Sequence, residues 1–239
     1  MRQPLFVLVR PQMGENIGGA ARAMWNFELD ALRLVAPRDG WPNPRAAATA
    51  SGAGRLLDMA TVHPDTADAL SDCTYVFATT ARSRDLPKPV VQPAEAIAQT
   101  KELLANGGRV AFLFGPERAG LENDDIARAN AIVSVPVNPE FASLNLAQCV
   151  LLLAYEWGRQ GTLAPAAEPA EGEPASHLEI EKLAEHYETR LDEAGFFFPE
   201  TKAPHMKLNL RNLWSRLPLN RAEVQIFHGM LRQLTRRRD

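Results

Sequence analysis

The chain reads as an α/β protein on a mostly parallel sheet, followed by a small helical module. Three observations carry that reading. Short apolar runs at Leu5–Val9, Tyr75–Thr79 and Arg109–Phe114 alternate with stretches of helical spacing. Such runs, without polar alternation, suit strands buried on both faces of a parallel sheet. A Pro/Ala/Glu/Gly stretch, QGTLAPAAEPAEGEP from Gln160 to Pro174, is too polar and turn-rich to bury a core. Beyond it, the pairs Ser176/Glu179 and Asn220/Glu223 have the spacing of helix capping boxes. The expected organisation is an α/β domain over 1–160, an acidic linker over 161–175 and a helical module with a basic tail over 176–239.

Taken in order, Leu5–Val9 is the first strand, and Arg10–Asn16 a loop. A helix is expected from Ile17 to Phe27, where Gly18, Gly19, Ala20 and Ala21 let a neighbour approach closely. Ala31–Val35 is a strand, Pro37–Pro44 a loop, Pro44–Ser51 a short helix, Thr61–Val62 a strand, and Thr66 opens a helix. Tyr75–Thr79 runs into the loop Thr80–Asp85. Pro93–Asn106 is helical and stops at Gly107–Gly108. Arg109–Phe114 ends in a loop, Gly115–Leu121, and Asn123 caps a short acidic helix. Val133 and Val135 form a strand stopped by Pro136, which favours extended geometry before it. A polar turn leads into a helix carrying Leu146, Val150, Leu153, Ala154 and Trp157, with Ser143 and Asn145 as N-cap candidates. In the module, helices are expected from Ser176 to Ala194, from His205 to Arg216, and after Asn220 with Val224, Phe227, Met230, Leu231 and Leu234 along one side. A unit of that size is marginal alone, so it should dock or act in a dimer.

Hydrophobic residues make up 46% and charged residues 23% of the 239, the balance of a soluble globular protein. No apolar run approaches a membrane span, and the amino-terminal run lacks a small-residue cleavage site, so a cytoplasmic protein is expected. Cys73 and Cys149 sit apart in apolar surroundings and the five histidines show no ligand spacing, so no metal is assigned. The net charge of −3 conceals an asymmetry: residues 161–200 carry ten acids and two bases, whereas 201–239 carry nine bases and two acids. A basic tail suits a polyanion. The segment G-E-N-I-G-G (14–19) is not a dinucleotide-binding loop, 115–120 is not a P-loop, and no nucleophile elbow occurs. Three polar clusters remain at strand ends: Thr79-Thr80-Ala81, Gly115-Pro116-Glu117, and Val135 to Asn145. Ligands of parallel α/β sheets bind there, and clusters without a phosphate loop suit a nucleoside-like ligand held by backbone groups.

The segments N-I-G-G-A-A-R-A-M (16–24), F-G-P-E-R-A-G-L (114–121) and V-P-V-N-P-E-F-A-S-L-N-L-A-Q (135–148) occur in the order of three motifs, and the chain resembles the SPOUT-class RNA ribose 2′-O-methyltransferases. Thr79–Arg84 and the tail after Gly195 are most similar to the branch that modifies cytidine or uridine at anticodon-loop position 32 of tRNA. The resemblance implies a trefoil knot in the carboxy-terminal part of the α/β domain, a homodimer, and S-adenosyl-L-methionine as cofactor. Carried over by position, it implies cofactor contacts at Thr79, Thr80, Ala81, Gly115, Val135, Ala142, Ser143 and Leu144. Arg22, Asn16, Glu117, Ser143 and Asn145 are the implied catalytic or substrate-side residues, with Arg22 holding a phosphate and stabilising developing alkoxide charge. Asn16 caps the helix or orients Arg22; Glu117 fixes the Arg22 fork or the motif loop, or forms a structural ion pair; Ser143 donates to the 2′-oxygen or caps the next helix. Arg82 and Arg84 are candidates for gripping RNA phosphates. The alternatives are another tRNA position, ribosomal RNA, or a non-catalytic RNA-binding protein of this fold.

Overall fold

A computed structural model describes residues 3–80, 87–161 and 172–236. The α/β part runs β1 (Leu5–Val9), α1 (Gly14–Trp25), β2 (Leu32–Val35), α2 (Pro44–Ala50), α3 (Gly54–Met59), β3 (Thr61–His63), α4 (Thr66–Leu70), β4 (Tyr75–Thr79), β5 (Val90–Val91), α5 (Pro93–Ala105), β6 (Val110–Phe114), α6 (Asn123–Ala127), β7 (Ala131–Val133) and α7 (Leu146–Arg159). The module follows as α8 (His177–Glu193), α9 (Ala203–Trp214) and α10 (Arg221–Leu234). Seven strands form one sheet in the order β3-β2-β1-β6-β4-β7-β5, and every pairing is parallel.

Because strand side chains alternate, each apolar run feeds two cores. Phe6, Phe77, Phe112 and Phe114 face one side, where the Phe77 and Phe112 rings stack at 4.9 Å and meet Ile17, Met24, Leu56, Ile97, Val150 and Leu153. Leu5, Val7, Val9, Val76, Ala78 and Leu113 face the other, against Leu70, Leu121 and Ile126. This two-sided burial is why the strands read as unbroken apolar runs.

The structure corrects several expected boundaries. Helix α1 begins at Gly14, three residues before Ile17, because its end is held by a residue distant in sequence. Glu117 accepts from the backbone N–H of Gln12 at 2.8 Å and of Met13 at 3.1 Å. Asn123 is the first residue of α6, not its cap; Glu122 is the cap, and its N–H donates to Asp125 at 3.1 Å. The strand expected through Val135 stops at Val133. Helix α7 is capped by Asn145, whose side chain accepts from Ala147 and Gln148 N–H, and not by Ser143. Helix α9 starts at Ala203, with Pro204 in its first turn, where a missing N–H costs nothing. Strand β5 and helix α3 had no counterpart in the sequence reading.

The module has a core of its own. Leu183, Ala184, Trp214 and Val224 are buried with Tyr187 and Phe227, and the Tyr187 and Trp214 rings lie 4.8 Å apart. It docks on the α4–β4 and α6–β7 turns of the α/β part. There His177 N–H donates to Cys73 O at 2.5 Å, Leu178 N–H to Ser71 O at 3.2 Å, and Arg128 pairs with Glu181 at 2.8 Å. Leu208 packs into the second core.

Burial lowers His177 to about 4, against an opposing pull from Glu181 and with help from Arg128, Arg211 and Lys88. The unfolded chain therefore binds a proton near pH 6.5 that the folded chain refuses until about pH 4. The resulting stability is complete above pH 6.5 and is lost as the pH falls through that window; its ceiling is about 3 kcal/mol. Urea midpoints measured from pH 7.5 to pH 4.5 should fall less steeply for His177→Leu than for the parent chain.

Candidate active site

The carboxyl ends of β4, β6 and β7 open into one cleft. It is lined by Thr79 and Thr80 from β4, Phe114 to Glu117 from β6, and Val133, Val135 and Val137 from β7 and its continuation. Ala142, Ser143, Leu144, Leu146 and Cys149 complete it from the α7 side. Of the eight residues expected to touch cofactor, Thr79, Thr80, Gly115, Val135, Ala142, Ser143 and Leu144 therefore surround a single space. Ala81, and with it Arg82 and Arg84, lies outside the described residues.

Local chemistry shapes each wall. Thr79 Oγ1 donates to Leu113 O at 2.8 Å and Thr80 N–H to Val133 O at 3.1 Å, so the end of β4 is tied to both neighbouring strands. Gly115 is required by a close approach, since a Cβ there would lie 2.2 Å from Leu121 N and 2.4 Å from Gly120 C. The loop folds back on itself through Gly120, which has φ +67° and donates to Pro116 O at 2.8 Å. On the far wall, Asn138 accepts from Glu140 N–H at 3.0 Å and sets the one-turn helix Pro139–Phe141 ahead of Ser143. Cys149 closes the floor. Burial pushes its thiol up to about 11, with a hydrogen bond to Thr79 pulling the other way, so it stays protonated at neutral pH.

The polar residues of the three sequence motifs meet beside this cleft in one relay. Asn145, while capping α7, donates through Nδ2 to Asn16 Oδ1 at 2.9 Å. Asn16 Nδ2 donates to Glu117 Oε1 at 2.8 Å, and Glu117 holds the N–H groups of Gln12 and Met13. Asn16 thus lies inside α1, buried, and neither caps that helix nor reaches Arg22. Glu117 fixes the start of α1 and makes no ion pair with Arg22.

Arg22 stands apart on the exposed surface of α1. Its side chain has no hydrogen bond or ion pair among the described residues, and it does not line the cleft of its own chain. Ser143 is exposed at the cleft with its hydroxyl unengaged by any described residue. Sequence reasoning missed Cys149, Arg118, Val137 and Leu146 as lining residues. Cys149 and Leu146 were legible in principle, since both lie within a turn of the α7 cap.

Residues 3–155 match the model of the SpoU rRNA Methylase family, and the chain belongs to that family. Residues 178–239 match the model described as the tRNA methyltransferase TrmJ C-terminal domain. The tRNA (cytidine/uridine/adenosine-2′-O-)-methyltransferase TrmJ of Pseudomonas aeruginosa strain UCBPP-PA14 is 39% identical over 236 residues, covering 94% of this chain and 91% of that protein. Among solved structures, TrmJ from Z. mobilis ZM4 superposes with a TM-score of 0.89 at 49% identity, covering 98% of this chain and all of the other. A structure concerned with 2-OH methylation of C/U34 on tRNA matches with a TM-score of 0.51 at 28% identity, over 65% of this chain and 93% of that one.

Replacing Glu117 by Gln removes the charge from an acceptor that serves three N–H groups, at a cost of about 1–3 kcal/mol. Glu117→Gln should lower the urea midpoint and speed amide exchange at Gln12 and Met13. Unchanged exchange at those two amides would show that the carboxylate is not what holds α1.

Proposed function

We propose that the chain transfers a methyl group from S-adenosyl-L-methionine to the 2′-hydroxyl of cytidine or uridine in tRNA, at anticodon-loop position 32. The observation that carries this reading is the cleft at the ends of β4, β6 and β7, walled by Thr79, Thr80 and the second and third motif segments, and tied to the first motif segment by the relay through Asn16, Glu117 and Asn145. Its donor set fits the cofactor. Strand-end backbone and the hydroxyls of Thr79, Thr80 and Ser143 suit a nucleoside, and Val133, Val135, Leu144 and Leu146 suit its apolar surfaces. Likeness to TrmJ proteins along the whole chain, module included, supports the tRNA substrate.

When bound, the cofactor supplies an electrophilic methyl on a sulfonium, so the chain's own residues have to position the ribose and manage a proton. Ser143 presents a free hydroxyl at the cleft and orients the 2′-oxygen. Arg22, with a guanidinium that stays charged, holds the phosphate beside the target ribose and stabilises the alkoxide as it develops. Helices α1 and α7 pack together and leave Met13, Trp25, Leu151, Leu152 and Tyr155 exposed, a surface we assign to a homodimer. In that dimer Arg22, outside its own cleft, serves the cleft of the second copy. Arg82, Arg84 and the basic tail grip RNA. The described residues contain no helix able to cross a membrane, and we place the enzyme in the cytoplasm with its substrate. The trefoil knot is part of the same proposal: β7 lies between β4 and β5, so the chain returns between two strands already made. The likeness to the C/U34 structure favours position 34 as a second reading, but that match leaves out about a third of this chain.

Incubation with labelled S-adenosyl-L-methionine and unmodified tRNA, followed by nucleoside mass spectrometry, should give 2′-O-methylcytidine or 2′-O-methyluridine mapping to position 32. Cofactor binding without label in tRNA would redirect the search to ribosomal RNA, and no cofactor binding would leave a non-catalytic RNA binder. Arg22→Ala should lower kcat by about 10²–10³-fold with cofactor affinity kept. Equal loss of both would place Arg22 in the cofactor site and end its assignment to the phosphate.

A further inference from the structure

One of the module's contacts with the α/β part is a buried serine whose partners lead to two strands at once. Ser215 follows α9 and is 6% exposed; Lys88, two residues before β5, is 9% exposed. Lys88 Nζ donates to Ser215 Oγ at 2.8 Å, to Ala127 O at 3.1 Å and to Ala129 O. Ser215 Oγ donates onward to Asn212 O at 3.1 Å, so it receives from the lysine as an acceptor. The backbone oxygen of Ser215 accepts from Asn130 Nδ2. Asn130 is locked to β4 in turn: its Oδ1 accepts from Val76 N–H at 2.7 Å, and its N–H donates to Val76 O at 2.7 Å.

These contacts reach the cleft by two short routes. Three and four residues beyond Val76, at and just past the end of β4, stand Thr79 and Thr80, which line it. Next to Lys88, Pro89 O accepts from Ile132 N–H at 2.8 Å, and β5 pairs with Ile132 and Val133 of β7, whose end also lines the cleft. A buried ammonium has little alternative to these oxygens. Desolvation, with Arg216 adding to it, already lowers Lys88 to about 7, and loss of an acceptor would leave the group still less supported.

We propose that Lys88 and Ser215 are positioning residues through which the module holds β4, β5 and β7 in the arrangement that shapes the cofactor cleft. The module then contributes to cofactor affinity from the amino-terminal ends of these strands, opposite the cleft, in addition to any hold on RNA. The inference rests on the cofactor reading given above.

The test uses the full chain with Lys88→Met, Ser215→Ala and both together, alongside Leu57→Ala on α3 as a destabilised control remote from the cleft and the module. Calorimetry gives the Kd for S-adenosyl-L-methionine, and hydrogen exchange follows residues 75–80 and 88–91. Each single variant should raise Kd by about fivefold or more, the scale of a modest coupling between sites. The double variant should be no weaker than the worse single one, exchange should quicken in both segments, and Leu57→Ala should leave the affinity unchanged. Unaltered Kd and exchange in both single variants would overturn the proposal, as would an equal loss of affinity in Leu57→Ala. If the parent chain binds no cofactor, the functional reading fails, and exchange alone decides: quickened exchange upholds the coupling and unchanged exchange overturns it.

Discussion

The structure depends on a half-buried carboxylate that accepts from three N–H groups belonging to another segment. Glu117 holds Gln12, Met13 and Asn16, and Asn16 passes the connection to Asn145 at the head of α7. Segments about a hundred residues apart in sequence are thus held within hydrogen-bond reach, where a partner lost would strand a polar group. Helix α1 is also gripped along its length. A Cβ at Gly18 would come within 2.2 Å of Ala46 O on α2, and one at Gly19 within 3.0 Å of Ala147 Cβ on α7. Relay and glycine contacts together fix where α1 lies against α7, and hence where the α7 wall of the cleft stands.

The cleft inherits its rigidity from the sheet. Strands β1, β6 and β4 are apolar on both faces because helices cover both, so their carboxyl ends emerge from packed surroundings at defined positions. The residues added at those ends carry the polar chemistry: Thr79 and Thr80 on β4, Gly115 on β6, and the loop to Asn145 after β7. Arg22 belongs to neither group. It rides on the exposed outer face of a helix whose inner face is structural.

Much of this was legible in the sequence, for reasons that differ by element. Two-sided burial makes β1, β4 and β6 continuous apolar runs, and the capping boxes at Ser176/Glu179 and Asn220/Glu223 mark α8 and α10, where the reciprocal bonds form. Strand-end clusters pointed to the cleft because parallel sheets leave little other place for a ligand. Long-range effects escaped. The start of α1 is set by Glu117, about a hundred residues away, so no local cap announced it. Strand β5 is two residues long and exists through its pairing with β7. Asn16 looked like a cap because asparagine before an apolar run commonly is one; its bonds to Glu117 and Asn145 are visible only once three segments meet. Lys88 gave no signal, since a lysine in a polar loop is ordinarily solvated.

Strand β7, which lies between β4 and β5, is the last of the seven strands along the chain. A chain emerging from the ribosome presents β4 and β5 well before β7, and the gap between them has no ladder partner until β7 arrives. Two walls of the cleft, the β7 end and the α7 cap, come from residues 133–149 and are made after β1, β4 and β6. A chain that is still short, or one truncated within α6, therefore carries most of the α/β core but no complete pocket. Such fragments lack the β7 and α7 walls, and a complete pocket first exists once residues 133–149 are in place.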